Sequence, residues 1–315
     1  MKKVFIFLLI LFFLFLPKIS SEYWTFIAIE VLIMGFFAMS FNLLMGYSGL
    51  LSFGHAGFFG VGAYTTAILL QHGFNSLFLI LLIAIIVSLI CSVVIGYLSV
   101  RQDEIYFAMI TLGFGMMLYT IAHNWTDFTG GSDGLPLMNE PILNLFGKKI
   151  SLISPENLYF FTFVIVFIGI LILWKIINSP FGLILKGMRE NKNRLNFSGG
   201  NISSIRLFAF TISGTLSGVA GFLFCLFSSM ATPDFLHWSF SAKPVIMSIL
   251  GGAWNFYGPM VGAAIFFALE QFIKMYTDNW MIFLGILLIP ITILFPKGVL
   301  GTIYDYAKKR YNSKS

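Results

Sequence analysis

The sequence predicts an all-α, polytopic integral membrane protein with about ten transmembrane segments, some of them broken or re-entrant at glycine-rich positions. Three observations lead to this fold class. The 315 residues are 58% hydrophobic and only 10% charged, whereas soluble domains carry roughly 25% charged residues. The mean hydropathy is +0.91. Long apolar runs also recur along the whole chain, and a membrane-spanning helix needs about 20 such residues.

The candidate segments are ten apolar runs, at 4–20, 24–45, 56–71, 77–100, 105–124, 158–178, 205–229, 243–253, 258–275 and 279–296. The run at 243–253 is too short to span a bilayer alone and is therefore a candidate re-entrant segment. The first run follows Lys2 and Lys3, as in a signal peptide, but no small-residue cleavage site comes after it. We therefore expect a retained first helix and one transmembrane domain over residues 1–315.

The distribution of charge predicts the orientation of the chain. The loop at 179–206 carries five basic residues and one acid, and the tail at 297–315 is also basic. Short loops rich in Lys and Arg stay in the cytoplasm, so this loop, the tail and both termini are predicted to be cytoplasmic. The loop at 125–157 holds four acids and two lysines and is predicted to be external. The net charge of +6 thus follows membrane topology and does not indicate a nucleic-acid partner.

The stretch at 42–64 places six glycines, a histidine and two serines inside an otherwise apolar region. A bilayer core contains no water, so backbone N–H and C=O groups there must find partners within the protein. We interpret the stretch as a broken helix beside a transport path, with Tyr47, Ser52 and His55 as predicted pathway residues. The alternative is close helix packing by small residues, with His55 as a hydrogen-bonded packing residue.

A second glycine-rich break, GGAWNFYGPMVG at 251–262, lies in the other half of the chain. Paired interruptions in two halves of a transporter indicate a path at the interface between repeats. The glycines predicted to break helices or allow close packing are Gly46, Gly49, Gly54, Gly57, Gly60, Gly62, Gly251, Gly252, Gly258 and Gly262.

Two polar segments are predicted to lie outside the bilayer. The external one is a tight turn formed by Gly130, Gly131, Ser132, Asp133 and Gly134, in which Asp133 caps backbone N–H groups. Its alternative role is a contact surface for a partner that delivers substrate.

The cytoplasmic segment reads as a short helix between Pro180 and the glycines at 199–200. Its residues Arg189, Glu190 and Asn191 are predicted to couple the chain to a cytoplasmic partner.

Acids and cysteines within the apolar runs are the next candidates for a functional role. Glu30 and Glu270 are expected within membrane segments, where acids by default suggest function, and neither has an obvious basic partner in the sequence. Glu30 is close enough to a helix end to reach the membrane interface, which favours a structural role for it, and the same alternative stays open for Glu270. Cys91 and Cys225 lie in apolar runs and are expected to be buried.

The chain has no phosphate-binding loop and no H-E-x-x-H, C-x-x-C or G-x-S-x-G motif. We therefore predict no catalytic residue, metal site or cofactor.

Four motifs together resemble the permease subunits of branched-chain amino acid ATP-binding-cassette (ABC) importers, in their LivM-like branch. They are NLLMGYSGLLSFGHAGFFGVGAY at 42–64, DFTGGSDGL at 127–135, the segment from RENKNRLNFSGG to GVAGFLF at 189–224, and GGAWNFYGPMVGAAI at 251–265. They occur in order over nearly the whole chain.

The resemblance implies a permease domain for leucine, isoleucine or valine in a bacterial plasma (inner) membrane. The implied partners are a second homologous permease, two cytoplasmic ATP-binding subunits docked on the coupling loop at 179–206, and an extracytoplasmic substrate-binding protein. ATP hydrolysis is then expected on the separate subunits.

Three alternatives remain open at this point. A urea or short-amide ABC permease would have a closely related sequence. An ion-coupled secondary transporter would also suit the paired breaks and the intramembrane acids. A membrane-embedded enzyme would need clustered histidines or acids, which the four scattered histidines do not supply.

Overall fold

The computed structural model describes residue 17 and residues 21–302, apart from 75, 103, 140, 146, 147, 198 and 278. Almost all of the predicted first segment at 4–20, and the tail beyond residue 302, lie outside the described residues. The predictions of a retained first helix and of cytoplasmic termini concern those parts of the chain and stay predictions.

Helices dominate the described part of the chain. They are α1 (Glu22–Asn42), α2 (His55–Gln71), α3 (Leu77–Ser99), α4 (Glu104–Asn124), α5 (Thr126–Thr129), α6 (Pro155–Ile177), α7 (Pro180–Glu190), α8 (Lys192–Phe197), α9 (Ile202–Ser228), α10 (Trp238–Gly251), α11 (Gly258–Lys274) and α12 (Trp280–Leu294). Short strands form two antiparallel pairs, β1 (Leu135–Pro136) with β4 (Met230–Ala231), and β2 (Ile142–Leu145) with β3 (Lys148–Ser151).

Six helical segments of the described chain are long and apolar enough to cross a membrane: Glu22–Ser48, Leu77–Ser99, Glu104–Asn124, Pro155–Ile177, Ile202–Ser228 and Met281–Thr302. The predicted class, an all-α multi-pass membrane protein, is confirmed. The number of about ten segments stays a prediction. Helices α2, α10 and α11 contain 17, 14 and 17 residues, and at 1.5 Å per residue a 17-residue helix rises about 26 Å.

The segment that begins with α1 and the helix α9 form the centre of the bundle. Of their most apolar stretches, 78% and 72% are buried, against 28% for α3 and 11% for Met281–Thr302. Small residues allow this close approach. A Cβ added to Gly62 of α2 would meet the backbone of Gly218 on α9, and one added to Gly221 would meet the backbone of Phe59.

The bundle has two ends, which we name after the loops they carry. The outer-loop end carries residues 125–157, and the coupling end carries residues 179–206. They are separated by the 23 residues of α6, a rise of about 35 Å. At the outer-loop end, Asn139 Nδ2 donates to the Leu70 carbonyl at 2.6 Å, and Leu135 pairs with Ala231. The apolar run at 243–253, the candidate re-entrant segment, lies mostly in α10, which begins at the outer-loop end and ends in the second glycine-rich break. Whether it re-enters the membrane stays a prediction.

Candidate functional site

The first glycine-rich break interrupts the helix that starts as α1. The helix widens into a π-helical segment, Leu43–Ser48, and Gly49 leaves it with a left-handed φ of 76°. The chain then turns back, and α2 begins at His55. Each of the ten predicted glycines stands where an added Cβ would touch a neighbouring residue. The closest of these contacts are to backbone atoms at Gly62, Gly251 and Gly262, so a side chain at those three positions would force helices apart.

The two glycine-rich breaks lie against each other. Asn42 Nδ2 donates to the Ala253 carbonyl at 3.1 Å, and a Cβ on Gly46 would meet that same carbonyl. Gly251 and Gly258 are in similarly close contact within the second break. The structure thus joins the two interruptions at one place near the coupling end.

Arg189 of α7 contacts both breaks. Its guanidinium donates a hydrogen bond to the Gly46 carbonyl and lies over the Trp254 ring, 3.4 Å from its centroid. Its Cγ would be 3.0 Å from a Cβ on Gly49. Burial lowers the pKa of this guanidinium, but an arginine stays protonated at neutral pH. The charge therefore remains available to both contacts.

The other two predicted coupling residues face elsewhere. Glu190 and Asn191 are exposed, and Asn191 Oδ1 accepts a hydrogen bond from the Arg194 backbone N–H at 3.0 Å. Asn191 thereby caps the start of α8. Of the three residues, only Arg189 reaches the membrane part of the bundle.

His55 and Ser52 belong to a buried polar network between α1, α2 and α9. His55 Nδ1 lies 2.9 Å from Ser52 Oγ, and Nε2 lies 2.8 Å from Ser213 Oγ. The Ser213 hydroxyl donates to the Ser40 carbonyl at 2.6 Å. Since a hydroxyl has one proton, Nε2–H must donate to Ser213, and in the neutral ring Nδ1 then accepts from Ser52.

Three aromatic rings pack around the His55 imidazole. The rings of Phe41, Phe58 and Phe210 meet the His55 ring edge-on, with centroids 5.2, 5.6 and 5.8 Å away. Tyr47, the third predicted pathway residue, lies apart from them near the coupling end, with the Lys186 ammonium 5.5 Å from its ring centroid. All three pathway candidates are buried, so in this conformation they face the bundle interior.

The tight turn predicted at 130–134 is present, and its external location stays a prediction. Gly130, Gly131 and Gly134 all have positive φ angles, and the carbonyl of Ala231 on β4 lies against Gly134. The Asp133 carboxylate is exposed and accepts from the Ser132 hydroxyl at 3.1 Å. Contrary to our expectation, the Asp133 carboxylate caps no backbone N–H group among the described residues. The turn is instead closed by the backbone, where the Gly134 N–H donates to the Gly131 carbonyl.

Sequence reasoning missed the basic partners of Glu30 and Glu270, the two acids expected within membrane segments. Lys274 Nζ lies 2.7 Å from Glu270 Oε1, a pair whose spacing of four residues was available as a signal. Lys243 of α10 interacts electrostatically with both Glu270 and Glu30. No sequence signal links these three residues, since they lie on three different helices.

Known proteins with similar sequences are transport permeases. A sequence model described as "Branched-chain amino acid transport system / permease component" matches residues 23–292. The chain is 27% identical over 284 residues to the high-affinity branched-chain amino acid transport system permease protein LivM of Salmonella typhimurium, covering 83% of this chain and 66% of that relative. The chain thus spans just under two thirds of the length of that relative. No solved structure matches.

Two archaeal relatives extend the comparison. A probable branched-chain amino acid transport permease protein LivM of Methanocaldococcus jannaschii is 24% identical over 318 residues, with 86% of this chain and 87% of the relative covered. A probable LivH permease of the same organism is 26% identical over 227 residues, with 69% of each chain covered.

Proposed function

The chain belongs to the permease-component family of branched-chain amino acid transport systems, and on that premise we propose that it is a membrane permease subunit of an ABC importer for leucine, isoleucine and valine. It performs no covalent chemistry, and ATP is hydrolysed by two separate cytoplasmic subunits. A second, homologous permease completes the path, and an extracytoplasmic binding protein delivers the substrate at the outer-loop end. The membrane is the bacterial plasma membrane, which about ten segments cross with both termini in the cytoplasm.

The single observation that carries this proposal is the position of Arg189. It lies on a short helix outside the membrane segments and contacts both glycine-rich breaks at once. A movement of α7 is therefore transmitted to the two places where the membrane helices are interrupted. An ATPase that pulls on this helix would rock the bundle between its inward-open and outward-open states.

The surface of the coupling segment supports an ATPase partner. Phe197 of α8 is 92% exposed and Leu183 of α7 is 68% exposed, while Glu190 between them is also exposed. Large apolar side chains exposed on a segment outside the membrane helices would become buried against a docked partner, and the partner would supply the apolar contact that they lack here.

A simple uptake experiment tests the proposal. Cells that express this chain with its neighbouring transport genes are given labelled leucine, isoleucine, valine and urea, and a strain without the chain is the control. We expect loss of branched-chain amino acid uptake without the chain and recovery with it. Loss of urea uptake alone would keep the ABC architecture and replace the substrate. Uptake that collapses with the membrane potential and ignores ATP depletion would support an ion-coupled transporter instead.

A further inference from the structure

Four charged side chains meet near the outer-loop end, where α1, α10 and α11 come together. Tyr23 Oη at the start of α1 donates to Gln271 Oε1 on α11 at 3.2 Å, which ties these two helices at this end. Glu30 of α1, Lys243 of α10, and Glu270 and Lys274 of α11 interact electrostatically with one another. The group holds two acids and two bases, so its formal charges cancel.

The charges in this group are incompletely satisfied. Glu270 is 6% exposed; its Oε1 accepts from Lys274 at 2.7 Å, but its buried Oε2 has no hydrogen-bond partner among the described residues. The Lys243 ammonium lies 4.6 Å from the Phe240 ring centroid. Lys243 is only partly buried, and within the described part of the chain it makes no salt bridge within 4.0 Å and no hydrogen bond. A buried charge such as that of Glu270 is normally paired and hydrogen-bonded, because its desolvation is costly.

The buried Glu270 Oε2 and the partly exposed Lys243 ammonium have opposite charges and lie on adjacent helices. Of the acids near Lys243, Glu270 has the strongest electrostatic interaction with it. A ligand that completes both groups needs a carboxylate for the Lys243 ammonium and a cationic group for Glu270 Oε2. In a free α-amino acid, an ammonium group and a carboxylate group are attached to the same carbon atom.

We propose that Lys243 and Glu270 bind the α-carboxylate and the α-ammonium group of the amino-acid substrate as it enters the bundle from the outer-loop end. Glu30 lies beside them as the second acid of the site. This inference rests on the proposed function. It assigns the permease a recognition site for the zwitterionic main chain of the substrate, which all branched-chain amino acids share.

Ligand analogues separate the two charge contacts. The purified complex of both permeases and ATPases, in lipid nanodiscs without the binding protein, is titrated with labelled leucine. 4-Methylpentanoate, which lacks the ammonium group, and isopentylamine, which lacks the carboxylate, are used as competitors. We expect Lys243→Met and Glu270→Gln each to weaken leucine binding by about tenfold, the effect of one charge-assisted hydrogen bond. Wild-type protein should prefer leucine to both competitors, and Lys243→Met should lose its preference for leucine over isopentylamine.

Controls address folding and charge. Lys243→Arg should retain binding, and Glu22→Gln, an exposed acid at the start of α1, should leave it unchanged. The double variant Lys243→Met with Glu270→Gln removes both charges together, so no uncompensated charge stays buried. It should reach wild-type abundance and still fail to bind leucine.

The outcomes separate this inference from the proposed function. Wild-type leucine uptake and binding in the double variant would overturn the site and leave the importer standing. The site is likewise overturned if isopentylamine displaces leucine from the wild-type protein as well as leucine itself does. Absence of leucine uptake by the intact wild-type importer would instead overturn the proposed function.

Discussion

The Arg189 guanidinium stacks on the indole ring of Trp254, with 3.4 Å between its central carbon and the ring centroid. Arg189 lies in the coupling helix α7, whereas Trp254 lies in the second glycine-rich break. The same guanidinium donates to the Gly46 carbonyl in the first break. One side chain thus connects helix α7 to both interruptions of the membrane helices, and under the proposed function this contact is a direct route for mechanical coupling.

Replacing Arg189 should uncouple ATP hydrolysis from uptake. Lysine keeps the charge but lacks the planar group that stacks on an aromatic ring, so Arg189→Lys and Arg189→Ala should both lower leucine uptake by about tenfold or more. ATPase activity of the purified complex should remain, because the docking surface is unchanged. The matched control is Arg194→Ala, an exposed arginine on α8. Uptake by Arg189→Lys at the wild-type rate would remove Arg189 from the coupling route.

The exposed Phe197 should be needed to hold the ATPases. Phe197→Asp places a charge where an apolar contact is expected, so the ATP-binding subunits should no longer copurify with the permeases in detergent. Asn193→Asp adds the same charge elsewhere on α8 and should leave copurification intact. If both variants retain the ATPases, the docking surface lies elsewhere.

Gly62 should tolerate no side chain, unlike a glycine on the outside of the bundle. Gly62→Ala places a Cβ against the Gly218 backbone and should destabilise the protein by about 1–3 kcal/mol through overpacking. Gly113→Ala is the matched control, since nothing lies within 4 Å of its Cβ position among the described residues. Thermal unfolding in detergent, followed by size-exclusion chromatography, measures both. Equal melting temperatures for the two variants would contradict the packing described for α2 and α9.

The hydrogen bond between His55 and Ser213 should contribute to stability. A double-mutant cycle with His55→Ala and Ser213→Ala isolates the pair energy, which we expect to be about 0.6–2 kcal/mol, as for other hydrogen bonds inside membranes. Ser239→Ala serves as the control partner, because its hydroxyl contacts His237 and is exposed. A coupling energy of zero for His55 and Ser213 would contradict the network.

Much of the fold was predictable from composition and hydropathy, because a bilayer dictates long apolar helices. The short apolar run at 243–253 pointed to α10, and the glycine runs pointed to both breaks. The contacts between these elements were not predictable, since Arg189 and Trp254 are far apart in sequence and no local pattern links them. Lys243 was missed for the same reason. The pair of Glu270 and Lys274, spaced by one helical turn, was within reach of sequence reasoning.

Transport of branched-chain amino acids across a membrane at the expense of ATP is the activity that we propose for this chain. It can be measured as labelled leucine uptake by proteoliposomes that contain both permeases and both ATPases, with ATP inside or outside and the binding protein on the opposite side. We expect uptake that requires ATP on the side of the coupling loop and persists when ion gradients are dissipated. Leucine uptake that needs an ion gradient and proceeds without ATP would contradict the proposed function.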